Sequence, residues 1–130
     1  MQKKQIKLLN KKVNVAYCYA TEINYNELAG EPASSFMVHA YECLSKTPVP
    51  EMPDIKKSIF MIIAAITACC DFEGKDVPFE YKDLLFKATP EEIGTAIGVV
   101  IGLHAKFYKL PFGEPENKEP KDNQAEGKNA

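Results

Sequence analysis

The run from Ile59 to Cys70 is apolar at every position but Thr67, and it limits what this chain can become more than any other feature. A membrane-spanning helix needs about 20 such residues, so the run is too short to cross a bilayer. Asp54 is placed to cap a helix just before it, and Glu73-Gly74-Lys75-Asp76 breaks one just after. A helix over 55–71 follows. Ile55, Ile59, Ile62, Ile63, Ile66 and Cys70 form one stripe of it, and Phe60, Met61, Ala64, Ala65 and Ala68 fill much of the rest. A helix apolar nearly all round belongs at the centre of a core or at an interface. A second run, Ile93 to Leu103, is also too short to span and reads as core helix.

The remaining elements fall into place around these two. Residues 5–9 and 12–19 predict a β-hairpin: Val13, Val15, Tyr17 and Tyr19 alternate with Asn14, Ala16 and Cys18. Leu9-Asn10-Lys11-Lys12 is the turn, with Asn10 tolerating a positive φ. Thr21 can cap a short helix that Gly30 ends, with Ile23 and Leu28 facing inward. Pro32 opens a helix over 33–45, in which Phe36, Met37, Ala40, Tyr41 and Leu44 recur at helical spacing. Three prolines make 47–53 a loop. A short helix around 79–87 follows. Thr89-Pro90-Glu91-Glu92 is a capping box with proline at the first helical position, and it starts a helix running from 90 to about 109. The expected fold is mainly α: an N-terminal β-hairpin, then about five helices in a small bundle, as one domain over 1–112. From Gly113 the composition changes to charged and small residues with no aromatic, so 113–130 is expected to be a disordered charged tail.

At 130 residues the chain can bury a core without metals or disulfides. Its net charge of −2 argues against a nucleic-acid or membrane-surface partner. Lysines 3, 4, 7, 11 and 12 make one dense basic stretch, read as solubilising the hairpin and guarding its edges rather than as a phosphate site. The start of the chain has no apolar segment of the secretory kind, so a cytoplasmic protein with its four cysteines reduced is expected.

Catalytic patterns are sparse. His39 and Cys43 stand four apart on one helix and could meet His104 or Cys69 around zinc, but nothing in the spacing demands it. A Cys18–His104 nucleophile pair is equally unforced. Glu91 and Glu92 are explained by the capping box. No glycine-rich phosphate loop follows a strand, so neither a cofactor nor a small-molecule substrate is implied. The unusual feature is the row Gly94, Gly98 and Gly102 inside the last helix. Each glycine there costs about 1 kcal/mol relative to alanine. The row either lets another helix of this chain approach closely, with Gly98 opposite Ala64 and Ala68, or serves a second subunit or a client. With Val13, Val15 and Tyr17 of the hairpin, these glycines are the candidate partner-binding residues.

The order of a lysine-rich hairpin (QIKLLNKKVNVAYCY), then TEINYNELAG, an apolar helix (DIKKSIFMIIAAITACC), a capped last helix (TPEEIGTAIGVVIGLHAKFY) and a polar tail resembles the small tail assembly chaperones of long-tailed phages and prophages. The resemblance covers about residues 4–110. It implies a phage tail assembly chaperone that binds the tape-measure protein and keeps it soluble during tail assembly, in the bacterial host cytoplasm, without catalysis or cofactor. A homo-oligomer is compatible with it. The alternative is a non-catalytic structural or adaptor subunit, such as a connector component or a small regulator.

Overall fold

Leu9 and Asn10 both take left-handed backbone angles, φ 51° and 65°. Two successive residues of that kind make the tight turn whose twist matches a β-hairpin. Strands β1 (Lys3–Leu8) and β2 (Lys11–Ala16) pair antiparallel across it, with Leu8 opposite Lys11 and Ile6 opposite Val13. β2 stops short of the expected strand end because Cys18 already stands at the N-terminal boundary of the first helix.

Five helices follow: α1 (Tyr19–Ala29), α2 (Ala33–Leu44), α3 (Ile55–Glu73), α4 (Tyr81–Lys87) and α5 (Pro90–Phe107). The computed structural model describes residues 1–111, so the expected tail at 113–130 lies outside the described residues. The expected fold class, a hairpin followed by five helices, is what the chain adopts.

Local chemistry sets the helix ends. Asp54 accepts from the Lys57 N–H at 2.9 Å and caps α3. Thr89 and Glu92 form the expected reciprocal box at the start of α5: the Glu92 N–H donates to Thr89 Oγ1 at 3.1 Å, and the Thr89 N–H donates to Glu92 Oε1 at 3.0 Å. Gly30 and Gly74 end α1 and α3 with φ of 73° and 72°, a conformation costly for other residues.

Helix α1 departs from its expected start and facing. Thr21 sits inside the helix rather than before it. Its hydroxyl donates to the Ala16 carbonyl at 2.8 Å and accepts from the Cys18 N–H at 3.2 Å, which ties the end of β2 to the first turn of α1. Tyr25, four residues on, is buried beside it and donates to Glu31 at 2.6 Å. These two anchors fix which side of α1 faces in. Ile23, about 200° round the helix from Thr21 at 3.6 residues per turn, is therefore 59% exposed. Leu28 lies on the same side as Thr21 but at the end of the helix, and it too is exposed.

Helix α3 is the centre of the molecule. It packs against β2, α1, α4 and α5, and Ile59, Met61, Ile62, Ala64, Ala65 and Ile66 are almost wholly removed from water. Its nearly all-round apolar surface is thus explained by neighbours on several sides. The inner face of the hairpin lies against α3 and α5, with Ile6, Leu8 and Val15 in the same core cluster as the helices. Phe60 stacks on Tyr81 at 4.8 Å, fastening α4 to α3.

Candidate functional site

The hairpin residues expected to meet a partner face the interior. Val15 and Tyr17 are buried and Val13 is half-buried, because the face they share is the one that lies on the helices. Their side chains are correspondingly withdrawn from any docking surface, and a charge at Val15 would disrupt the core. The outward face carries Lys3, Gln5 and Lys7 on β1 and Lys12 and Asn14 on β2. Ala16, of the same parity, is buried where α1 folds back over the strand end.

The glycine row also sits otherwise than the packing expectation has it. A Cβ at Gly98 or Gly102 would meet nothing within 4 Å, so no notch between Gly98 and the Ala64–Ala68 pair exists. Gly98 is exposed on the outer side of α5, while Ile93, Ala96, Ile97, Val100 and Ile101 supply its buried face. Gly94 alone has a neighbour: its Cβ would stand 3.3 Å from the Met52 Cε.

That methionine belongs to an apolar groove of about 270 Å³ between the starts of α3 and α5, closed by Leu84 and Leu85 of α4. Ile59, Leu84 and Ile93 form its buried part. Met52, Ile55 and Leu85 line it while still partly exposed, and no charged residue contributes. Phe86, beside Leu85, is 80% exposed. The sequence signal for this surface was faint. Leu84, Leu85 and Phe86 are consecutive apolar residues on a short helix, and one helix face cannot bury all three.

A second, larger groove of about 690 Å³ runs along α1, bounded by Tyr108 after α5 and by Pro32, Ala33 and Ser34 at the start of α2. Tyr19 and Ile23 supply its apolar wall, and Glu22, Asn26 and Glu27 its polar one. Glu22 is held in place: Tyr17 Oη donates to its Oε2 at 2.8 Å and Tyr108 Oη at 2.6 Å. The Glu22 contact raises the Tyr108 phenol to about 12, and burial, aided by the same carboxylate, raises that of Tyr17 further. Both hydroxyls therefore stay protonated as donors.

Beneath this groove His104 is nearly buried, with Tyr17 edge-on at 4.9 Å and Tyr41 Oη 3.0 Å from its Nδ1. Burial lowers its pKa, with Glu22 opposing. His104 does not meet the residues considered with it for zinc or nucleophilic chemistry. His39 Nε2 accepts from the Asp54 N–H at 3.0 Å and its ring is 3.7 Å from Cys43 Sγ, so it ties α2 to the loop before α3. Cys18 lies near Met1 Sδ and Thr21 Oγ1. Burial raises the Cys69 thiol to about 11 and also raises Cys70, keeping both protonated. Among the described residues no group of three or more His, Cys, Asp or Glu side chains could hold a metal ion.

No family model matches the chain, and comparison with curated proteins and with solved structures gives no match. No helix among the described residues is long and apolar enough to cross a membrane.

Proposed function

We propose that this protein is a non-catalytic binding protein that shields an apolar segment of a larger partner, in the manner of the phage tail assembly chaperones it resembles, with a tape-measure-like protein as client. The observation that carries the reading is the uncharged groove of Met52, Ile55, Leu85 and their buried neighbours, with Phe86 exposed beside it. Exposed apolar side chains gathered about one groove are what a partner's apolar segment would cover. A helical or extended segment seated there would cover Leu85 and Met52 and could run on over Gly94 and Gly98, where α5 offers bare backbone for close approach. The client site thus includes the glycine row but replaces the hairpin residues with the α3–α4–α5 groove.

The test is co-expression with the long protein that this reading places beside it in the genome. The client is expected to remain soluble and to co-purify with the parent. Leu85→Glu, at an exposed position, is expected to abolish capture while the domain melts as before. A client that is equally soluble alone, or that never co-purifies, overturns the reading.

A further inference from the structure

The charges of residues 1–45 are sorted by segment. Residues 1–21 hold lysines 3, 4, 7, 11 and 12 and no acid; residues 13–45 hold Glu22, Glu27, Glu31 and Glu42 and no lysine. The hairpin lies on α3 and α5, while α1 packs on α3 and carries α2 against it. Among the described residues Lys3, paired with Glu73, is the one hairpin lysine in an ion pair.

Two local features sharpen this. Lys7 and Lys12 are direct cross-strand neighbours on the outward face of the hairpin. Like charges opposite one another weaken a strand pair, and the acids of the same chain nearest them are Glu92, which feels the charge of Lys7, and Glu73 and Asp76, which line a hollow with Lys12. The α1 groove has the converse character: Glu22 and Glu27 line it with Tyr19 and Tyr108, and no described lysine does. Both tyrosine hydroxyls bond to the same oxygen of Glu22, so that among the described residues no hydrogen bond reaches Oε1. Carboxylates flanked by aromatic rings suit an ammonium group, through charge and through the ring faces.

We propose that the occupant of the α1 groove is the hairpin of a second copy of this chain, with Lys7 and Lys12 of one protomer set against Glu22 and Glu27 of the next. The contact is head-to-tail, since donor and acceptor surfaces are different parts of the molecule. Such an interface propagates into an open chain or closes into a ring according to the rotation at each step. It uses a surface separate from the apolar client groove and stands whether or not that groove binds a client.

Sedimentation velocity on the full chain tests it, over a range of protein concentrations at low and high salt. At low salt the mass is expected to rise with concentration to at least twice the 14.5 kDa of one chain, and to fall back as salt shortens the Debye length to about 3 Å at 1 M. Lys7→Glu with Lys12→Glu is expected to give single chains, as is Glu27→Lys. Mixing those two variants in equal amounts is expected to restore pairing, because the intact hairpin of the Glu27→Lys chain then meets the intact groove of the other. Lys7→Gln with Lys12→Gln serves in place of the double reversal if that variant melts early. Single chains under all conditions, assembly indifferent to these substitutions, or a mixture that stays dissociated would each overturn the proposal.

Discussion

Leu9 and Glu92, 83 positions apart, are joined by a hydrogen bond of 2.9 Å from the Leu9 N–H to the Glu92 carboxylate. The left-handed φ of 51° at Leu9 is unfavourable for a residue with a branched side chain. Glu92 offsets this by accepting the amide that the turn exposes, while its other oxygen caps α5. One carboxylate thus serves the hairpin turn and the helix end together.

Glu92→Ala should therefore cost more than an ordinary cap. It leaves the amides of Leu9 and Thr89 without their acceptor, and a loss of about 1–3 kcal/mol is expected in chemical denaturation. Hydrogen bonds from the Thr89 and Leu9 backbone hold the Glu92 pKa below its ordinary 4.5. A lowered pKa in the native state means the stabilisation is present above that ordinary value and is lost as pH falls through the native one. The parent should accordingly lose this increment below about pH 4.5, and the difference between parent and variant should shrink there.

Thr21→Val removes a hydroxyl and nearly preserves shape. The Ala16 carbonyl loses its bond from Thr21, and the Cys18 amide loses its acceptor at a buried junction. A destabilisation of about 1–3 kcal/mol is expected. Thr21→Ser, which keeps the hydroxyl, should recover much of it. Equal stability for the Thr21→Val and Thr21→Ser variants would show that the junction is held by packing alone.

Gly98→Ala should stabilise the domain. The position is helical and exposed, and a Cβ meets nothing within 4 Å. Alanine in a helix interior is favoured over glycine by about 1 kcal/mol. Differential scanning calorimetry should show a higher Tm. If α5 meets the client along this row, Gly98→Leu should melt no lower than the parent and yet weaken capture.

His104 should make the domain acid-sensitive. Burial lowers its pKa from the ordinary 6.5, with Glu22 opposing, so the native state holds it neutral while the unfolded chain takes up a proton. Stability is full above about 6.5 and declines as pH falls from there towards the native pKa. His104→Gln should flatten the dependence of unfolding free energy on pH in that window. An unchanged slope would place the sensitivity elsewhere.

Helix positions were legible wherever a cap and an apolar stripe agree, as at Asp54 with Ile59 and Ile62, or at Thr89 with Glu92. Facing was harder to read. In α1 the buried residues are Thr21 and Tyr25, whose polar atoms find partners only after the chain has folded back on Ala16 and Glu31. Apolarity points to Ile23 and Leu28 instead, and nothing local in the sequence announces those partners. The glycine row misleads in the opposite way. Its spacing suggests close packing against α3, yet the stripe that faces α3 is defined by Ile93, Ala96, Ile97, Val100 and Ile101. The apolar groove is assembled from Met52, Ile55, Leu85 and Pro90, which lie on separate segments, so no short window of sequence contains it.

The docking of β1 on α5 has a consequence for synthesis. A ribosome delivers the hairpin before the helices, but a two-stranded hairpin alone is marginally stable. The helix that shelters Ile6 and Leu8, and the carboxylate that accepts from Leu9, are delivered some eighty residues later. Strand β1 is therefore among the last of these elements to settle. Until α5 has left the ribosome, the nascent chain presents Ile6 and Leu8 to its surroundings.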